Sequence, residues 1–179
     1  MRPEVKVLRK NVYDFITQEI FASECRGPVL EIGPMQEHWT PVKKYFVNTR
    51  EYFNSKGITY MACDHDPTAG VEITSSVLEL GEKVPQGSVG TIIALEVIEH
   101  VSRIWELPAL FAGLLQPGGK LFVSTPFYFF RHSPFPDYWR ISEDGLKLLF
   151  EEHFEVLITP LLGRDERKPI HYTMTAHKK

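Results

Sequence analysis

The sequence predicts an α/β fold in which a mostly parallel sheet is covered by helices on both faces. Three observations lead there. Short, largely apolar runs at 29–32, 58–63, 91–95 and 120–124 have the length and hydrophobicity of strands buried on two sides. Helical patterns separate most of them, the alternation that produces parallel crossovers. The last two strand-like runs, 154–159 and 171–177, have no helical period between them and so read as an antiparallel hairpin at one edge.

Taken in order, Val5, Leu8, Val12, Phe15 and Ile16 recur at helical spacing, so residues 1–27 form an N-terminal helical region that Pro28 ends. Gly33 closes the first strand in a tight turn. Thr40 reads as an N-cap with Pro41 at the first helical position. The helix expected after it runs through Phe53 on an apolar side of Val42, Tyr45, Phe46, Thr49 and Tyr52, and Gly57 stops it. The second strand ends in Asp64-His65-Asp66-Pro67, and a short third strand is expected over 70–73. A turn at Pro85-Gln86-Gly87-Ser88 precedes the fourth strand. Residues 101–115 read as a helix kinked near Pro108, where the ring removes one main-chain donor. Pro117-Gly118-Gly119 then reverses the chain into the fifth strand. The proline- and aromatic-rich segment 125–140 is too kinked for regular structure, and Ser142 caps a helix carrying Leu146, Leu149 and Phe150.

At 179 residues the chain has the length of one domain, 1–179, with a substantial core. A formal net charge of -3 offers no general attraction to phosphate backbones, so a small molecule or a neutral glycan is the expected partner and nucleic acid is not. Cys25 and Cys63 are too few for a disulfide scaffold, which points to a reducing compartment. No apolar run approaches the roughly 18 residues that cross a bilayer, and the first residues lack a signal pattern; a cytoplasmic location without membrane insertion is expected. The histidines are scattered and no metal site is expected.

Three segments together carry a resemblance: Val29-Leu30-Glu31-Ile32-Gly33, the strand that runs into Leu95-Glu96-Val97-Ile98-Glu99-His100-Val101, and Leu115-Gln116-Pro117-Gly118-Gly119-Lys120 leading to Thr125-Pro126. They resemble the class I S-adenosylmethionine-dependent methyltransferases, in particular the small-molecule, type 11-like subgroup. The resemblance implies a Rossmann-like three-layer sandwich with a seven-stranded sheet and S-adenosyl-L-methionine as cofactor. Glu31 and Gly33 stand at the acidic and glycine positions of the family's first motif, beside the methionine end of the cofactor. Asp64 stands where the family places a carboxylate on the ribose hydroxyls, with His65 next to it, and Glu72 resembles the acidic residue near the adenine. Glu96 and Val97 line the cofactor from the fourth strand. Pro34 and Met35 stand where the family pattern has further glycines, so either the loop takes a different path or the cofactor rests against their side chains.

The segment 125–141 is read as a substrate-side loop and resembles an insert after the fifth strand of many bacterial-type members. Methyl transfer to oxygen requires an aligned lone pair and removal of a proton. His132 is the candidate base, and Asp137 the candidate to orient it or to bind substrate hydroxyls; these are the two expected catalytic residues. His100, Phe127, Tyr138, Trp139 and Arg140 are the expected substrate contacts, the flat apolar faces of Phe127, Tyr138 and Trp139 suiting a sugar or aromatic acceptor. The same residues also fit plainer roles: a glycine turn at Gly33, a turn-forming Asp64, a cap at Glu99 and His100, and an Asp137–Arg140 pair that merely folds the loop. The expected function is methylation of a small hydroxylated acceptor. Two alternatives stay open: a non-catalytic cofactor-binding module of the same fold, and a nicotinamide-dependent oxidoreductase, for which Gly33 lacks the following Gly-x-x-Gly.

Overall fold

The computed structural model describes residues 2–37, 42–163, 165 and 168–179. Its sheet has seven strands: β1 (Val29–Ile32), β2 (Tyr60–Asp64), β3 (Ile73–Thr74), β4 (Val89–Leu95), β5 (Leu115–Pro126), β6 (Phe154–Leu162) and β7 (Pro169–Lys178). Their order is β3-β2-β1-β4-β5-β7-β6. β7 runs antiparallel to both β5 and β6, and the remaining pairings are parallel. The helices are α1 (Pro3–Asp14), α2 (Thr49–Ser55), α3 (Leu80–Lys83), α4 (Leu107–Leu114) and α5 (Glu143–Phe150). This is the predicted α/β architecture, including the C-terminal hairpin.

Alternation along the central strands divides the interior in two. Leu30, Ile32, Ile92, Ala94, Leu121 and Val123 point into one core, which α3, α4 and α5 close with Leu80, Phe111, Leu146 and Phe150. Val29, Ile93, Leu95 and Phe122 point the other way, onto Leu8, Val12, Ile16 and Ile20 of the N-terminal helical region and Phe53 of α2. Each fully buried Phe contributes about 1.5–3 kcal/mol through the apolar surface it removes from water. Glu31 shares the Val29 face by the same alternation, so its side chain faces inward rather than toward solvent.

Several expected elements differ, the third strand among them, which covers Ile73–Thr74 rather than 70–73. The Thr40 N-cap and Pro41 lie outside the described residues, and the helix expected to run from there through Phe53 is instead a single 3-10 turn at Lys43–Tyr45 followed by α2. Asn48 caps α2: its side-chain oxygen accepts the Glu51 N–H at 3.1 Å and its amide donates to the Glu51 carboxylate at 3.3 Å, a reciprocal box. Pro108 does not kink a helix. It lies in the first turn of α4, where its missing N–H has no helical partner to lose, and residues 104–106 form a separate 3-10 turn before it. The turn at Pro117-Gly118-Gly119 lies within β5 as a bulge, the register against β4 shifting between Val89 and Thr91. α1 continues into a π-helical turn over Phe15–Ile20. No helix among the described residues is long and apolar enough to cross a membrane.

Candidate active site

With β1 flanked by β2 on one side and β4 on the other, crossovers leave in opposite directions and open a crevice at the carboxyl ends of these strands. Gly33 sits at its floor with φ +63°, and its N–H donates to the Cys63 carbonyl at 2.8 Å. A Cβ there would approach Val97 Cγ2 to 2.9 Å, so both backbone angle and space require glycine. Pro34 and Met35 follow half-buried, Met35 packing toward the α1 side. Across the crevice Asp64 ends β2. Its Oδ1 accepts the Asp66 N–H at 2.9 Å and lies 3.2 Å from Nδ1 of His65, a side chain that is largely exposed.

Glu96 carries the crevice into the fold. It is the one non-glycine residue with positive φ among those described, at 56°, directly after β4. Its N–H donates to the Ser124 carbonyl at 3.0 Å, and its carboxylate accepts from the Ser124 hydroxyl at 2.7 Å and meets Nε2 of the buried His171. Burial works against its ionisation, but the charge and hydrogen bond of His171 and the bond from Ser124 outweigh this and hold Glu96 at about 2.

Three side chains converge beyond Glu96. Glu99 is fully buried in the 3-10 turn Ile98–His100, and burial together with the Glu96 charge raises its pKa well above the usual carboxylate range. Its Oε1 lies 3.7 Å from His100 Nε2 and 3.9 Å from His132 Nε2. The two imidazoles meet edge to face at 5.2 Å between ring centres. His100 is pushed below its ordinary value, chiefly by burial.

The loop that delivers His132 is held by Arg140. Its guanidinium grips both oxygens of the buried Asp137, at 2.6 and 2.7 Å, and donates to the carbonyls of Phe129, Phe130 and Trp139. Asp137 accepts the main-chain N–H of His132 at 2.8 Å, so it positions this histidine through the backbone and not through the imidazole. Burial opposes its ionisation; the Arg140 hydrogen bonds prevail and hold it at about 2. Trp139 Nε1 donates to the Val101 carbonyl at 2.8 Å, and Tyr138 is half exposed. Beside the end of β5 a cavity of about 620 Å³ opens between this loop, α1 and the β6–β7 turn, walled by Phe127, Tyr128, Phe129 and Phe130. Arg2 stacks on Phe130 at 4.5 Å and Lys168 on Tyr128 at 5.1 Å.

No family model matches the chain. Over 64 residues it is 39% identical to the ubiquinone biosynthesis O-methyltransferase of Xanthomonas euvesicatoria pv. vesicatoria, a stretch covering 34% of this chain and 26% of that protein. The match therefore spans about a quarter of the length of that curated relative. A SAM-dependent methyltransferase from Archaeoglobus fulgidus superposes with a TM-score of 0.71 at 16% identity, covering 95% of this chain and 94% of its own. The fold is that of the class I SAM-dependent methyltransferases. The 1,6-didemethyltoxoflavin-N1-methyltransferase of Burkholderia thailandensis, solved with S-adenosylhomocysteine, shares the methyltransferase fold at a TM-score of 0.58 and 16% identity, over 97% of this chain and 88% of its own.

On this methyltransferase fold, Gly33, Pro34, Met35, Asp64, His65, Glu96 and Val97 lie at the carboxyl rim, while Glu31 and Glu72 are engaged with protein. Glu31 is buried and accepts from the hydroxyls of Thr49 and of Tyr60, the latter at 2.6 Å, tying β1 to α2 and β2. Burial raises its pKa against those two bonds. Glu72 pairs with Arg50 and accepts the Ala62 N–H at 2.8 Å; the Arg50 hydrogen bond, with lesser help from that N–H, holds it at about 2. Sequence reasoning missed His171, the central place of Glu99, and the contributions of Arg2 and Lys168 to the cavity. The run Phe127–Phe130 was the available signal for the aromatic wall; nothing in the sequence placed His171 opposite Glu96.

Glu96 and Asp137 are held below their ordinary values of 4.5 and 3.8, so between about pH 4.5 and 2 these two groups bind more protons in the unfolded chain than in the folded one. Their stabilisation is complete above that window and is lost as pH falls through about 2. Urea denaturation is expected to show a lower midpoint at pH 2.5 than at pH 5; equal midpoints would contradict this. Glu99 has the opposite sign, its raised value favouring the fold below its unfolded pKa and weakening it as pH rises.

Proposed function

We propose that the chain is an S-adenosylmethionine-dependent methyltransferase acting on a small hydroxylated acceptor, with oxygen the methylated atom. The observation that carries this reading is the crevice at the β1/β4 divergence, floored by a glycine whose missing Cβ is demanded by Val97 and faced by a carboxylate at the end of β2. A nucleoside bearing an amino-acid tail fits such a rim: main chain comes close at Gly33, and the Asp64 carboxylate offers acceptor oxygens to a ribose diol. Pro34, Met35 and Val97 supply apolar contact, and Glu96 holds the turn that shapes the wall. The cofactor supplies a methyl group on a positively charged sulfur.

The chain's own work is then alignment and exclusion of water. The aromatic cavity at the end of β5 suits a flat acceptor, a ring or a sugar face, and Arg2 and Lys168 add positive charge at its edge. Phe127 reaches this wall; Trp139 and Arg140 serve it indirectly by holding the loop. His132, the most exposed member of the Glu99–His100–His132 cluster, is proposed as the group that takes the acceptor's proton. Its Nδ1–H donates to the Ser133 carbonyl at 3.0 Å, which leaves the lone pair on Nε2.

Incubating the protein with methyl-labelled S-adenosylmethionine and a panel of phenolic and sugar acceptors tests this, label being expected on at least one oxygen. Asp64→Ala is expected to weaken cofactor binding by at least tenfold, the scale of a lost hydrogen bond to a charged group, about 1.5–3 kcal/mol. Cofactor binding with no transfer to any acceptor would instead support a non-catalytic module.

A further inference from the structure

We propose that Glu99, His100 and His132 form a binding site for one divalent first-row transition-metal ion, with Glu99 Oε1 and the two Nε2 atoms as ligands. These atoms lie within 4.8 Å of one another, and none of the three has a hydrogen-bond partner among the described residues although all are buried. Glu99 is completely enclosed, so its oxygen has no access to bulk water.

Tautomers make the case. Nδ1 of His100 faces the Pro136 carbonyl at 3.0 Å, and Nδ1 of His132 faces the Ser133 carbonyl at 3.0 Å. A carbonyl only accepts, so each Nδ1 carries a proton and donates it, which in the neutral ring leaves the lone pair on Nε2. Two ring lone pairs and a carboxyl oxygen thus converge with no hydrogen bond between any two of them, an arrangement that costs desolvation unless a positive charge lies between. At 3.7 and 3.9 Å the gaps from Glu99 to the histidines exceed hydrogen-bond reach, so a proton bridges them poorly. A cation bound at about 2.1 Å holds its ligands up to roughly 4.2 Å apart, which covers both gaps. Histidines whose second ring nitrogen donates to a main-chain carbonyl are the usual form of metal-bound histidine, and two imidazoles with one carboxylate suit zinc, iron, cobalt or manganese.

The ion would join the end of β4, through Glu99 and His100, to the loop that carries His132, and so close the floor of the substrate-side loop. The binding claim is independent of the methyltransferase reading. Only its consequence rests on that reading: with the ion seated, His132 Nε2 is a ligand, and an acceptor hydroxyl bound to the ion would be made acidic by its charge and would release its proton to solvent water rather than to the histidine.

The test uses the full chain, stripped with a chelator and titrated without cofactor, first with Co²⁺ and then with Zn²⁺. Expected are one equivalent of Co²⁺ with visible ligand-field absorption, its displacement by Zn²⁺, and a raised melting temperature that chelator reverses. His132→Gln and Glu99→Gln should each weaken binding at least tenfold, while His177→Gln, on the exposed face of β7, should leave it unchanged. Circular dichroism checks each variant's fold, and His132→Ala, altered on a surface loop, serves should Glu99→Gln fail to fold. No stoichiometric binding, or binding that the His132 variants leave intact, would overturn the proposal.

Discussion

Arg140→Ala is expected to destabilise the protein by about 3–5 kcal/mol, the cost of leaving a buried carboxylate without its partner. Asp137 is enclosed and receives both terminal nitrogens of this guanidinium, and three loop carbonyls depend on the same group. One side chain therefore replaces the hydrogen-bonded ladder that the irregular loop lacks. Lysine cannot reproduce a planar fork with five donors, so Arg140→Lys should recover only a fraction of the loss. Urea denaturation measures the energy, and proteolysis at Phe129, Phe130 or Tyr138 should quicken in the variant. A loss below about 1 kcal/mol would mean that the pair behaves as an exposed ion pair does.

His171→Ala is expected to cost a similar amount, about 3–5 kcal/mol, because it strands Glu96 beside the sheet. Here the damage reaches the crevice directly. Glu96 holds a left-handed backbone turn that a non-glycine residue adopts at a cost of order 1–3 kcal/mol, and its bonds to Ser124 and His171 are what keep it there. Adding Glu96→Gln to His171→Ala removes the stranded charge, so the double variant should be more stable than the single one. Additive losses would show that the two residues act separately.

Strand positions and the edge hairpin were legible because buried parallel strands are nearly all apolar and because no helical period separates the last two. The start of α2 was misread although the signal was present: Thr40-Pro41 and Asn48-x-x-Glu51 are both cap signatures, and only the second is seen to cap α2. Pro108 was legible as a helix-perturbing residue but not as a helix start, since that depends on the separate turn at 104–106. The inward direction of Glu31 follows from strand alternation once Val29 is known to be buried, so motif position alone could not reveal its bonds to Thr49 and Tyr60. His171 was illegible because β7 enters between β5 and β6, and the register that sets it opposite Pro126, near Glu96, is a property of the assembled sheet. The Glu99–His100–His132 cluster escaped for the same reason, its third member coming from a loop with no sequence period.

Calorimetric titration of the purified protein with S-adenosylmethionine and S-adenosylhomocysteine, in parallel for wild type and Asp64→Ala, tests the reading of the crevice most directly. One molecule bound per chain, with affinity reduced at least tenfold by Asp64→Ala, is the predicted result. Absence of binding to the wild type, or equal affinity in the two proteins, would contradict it.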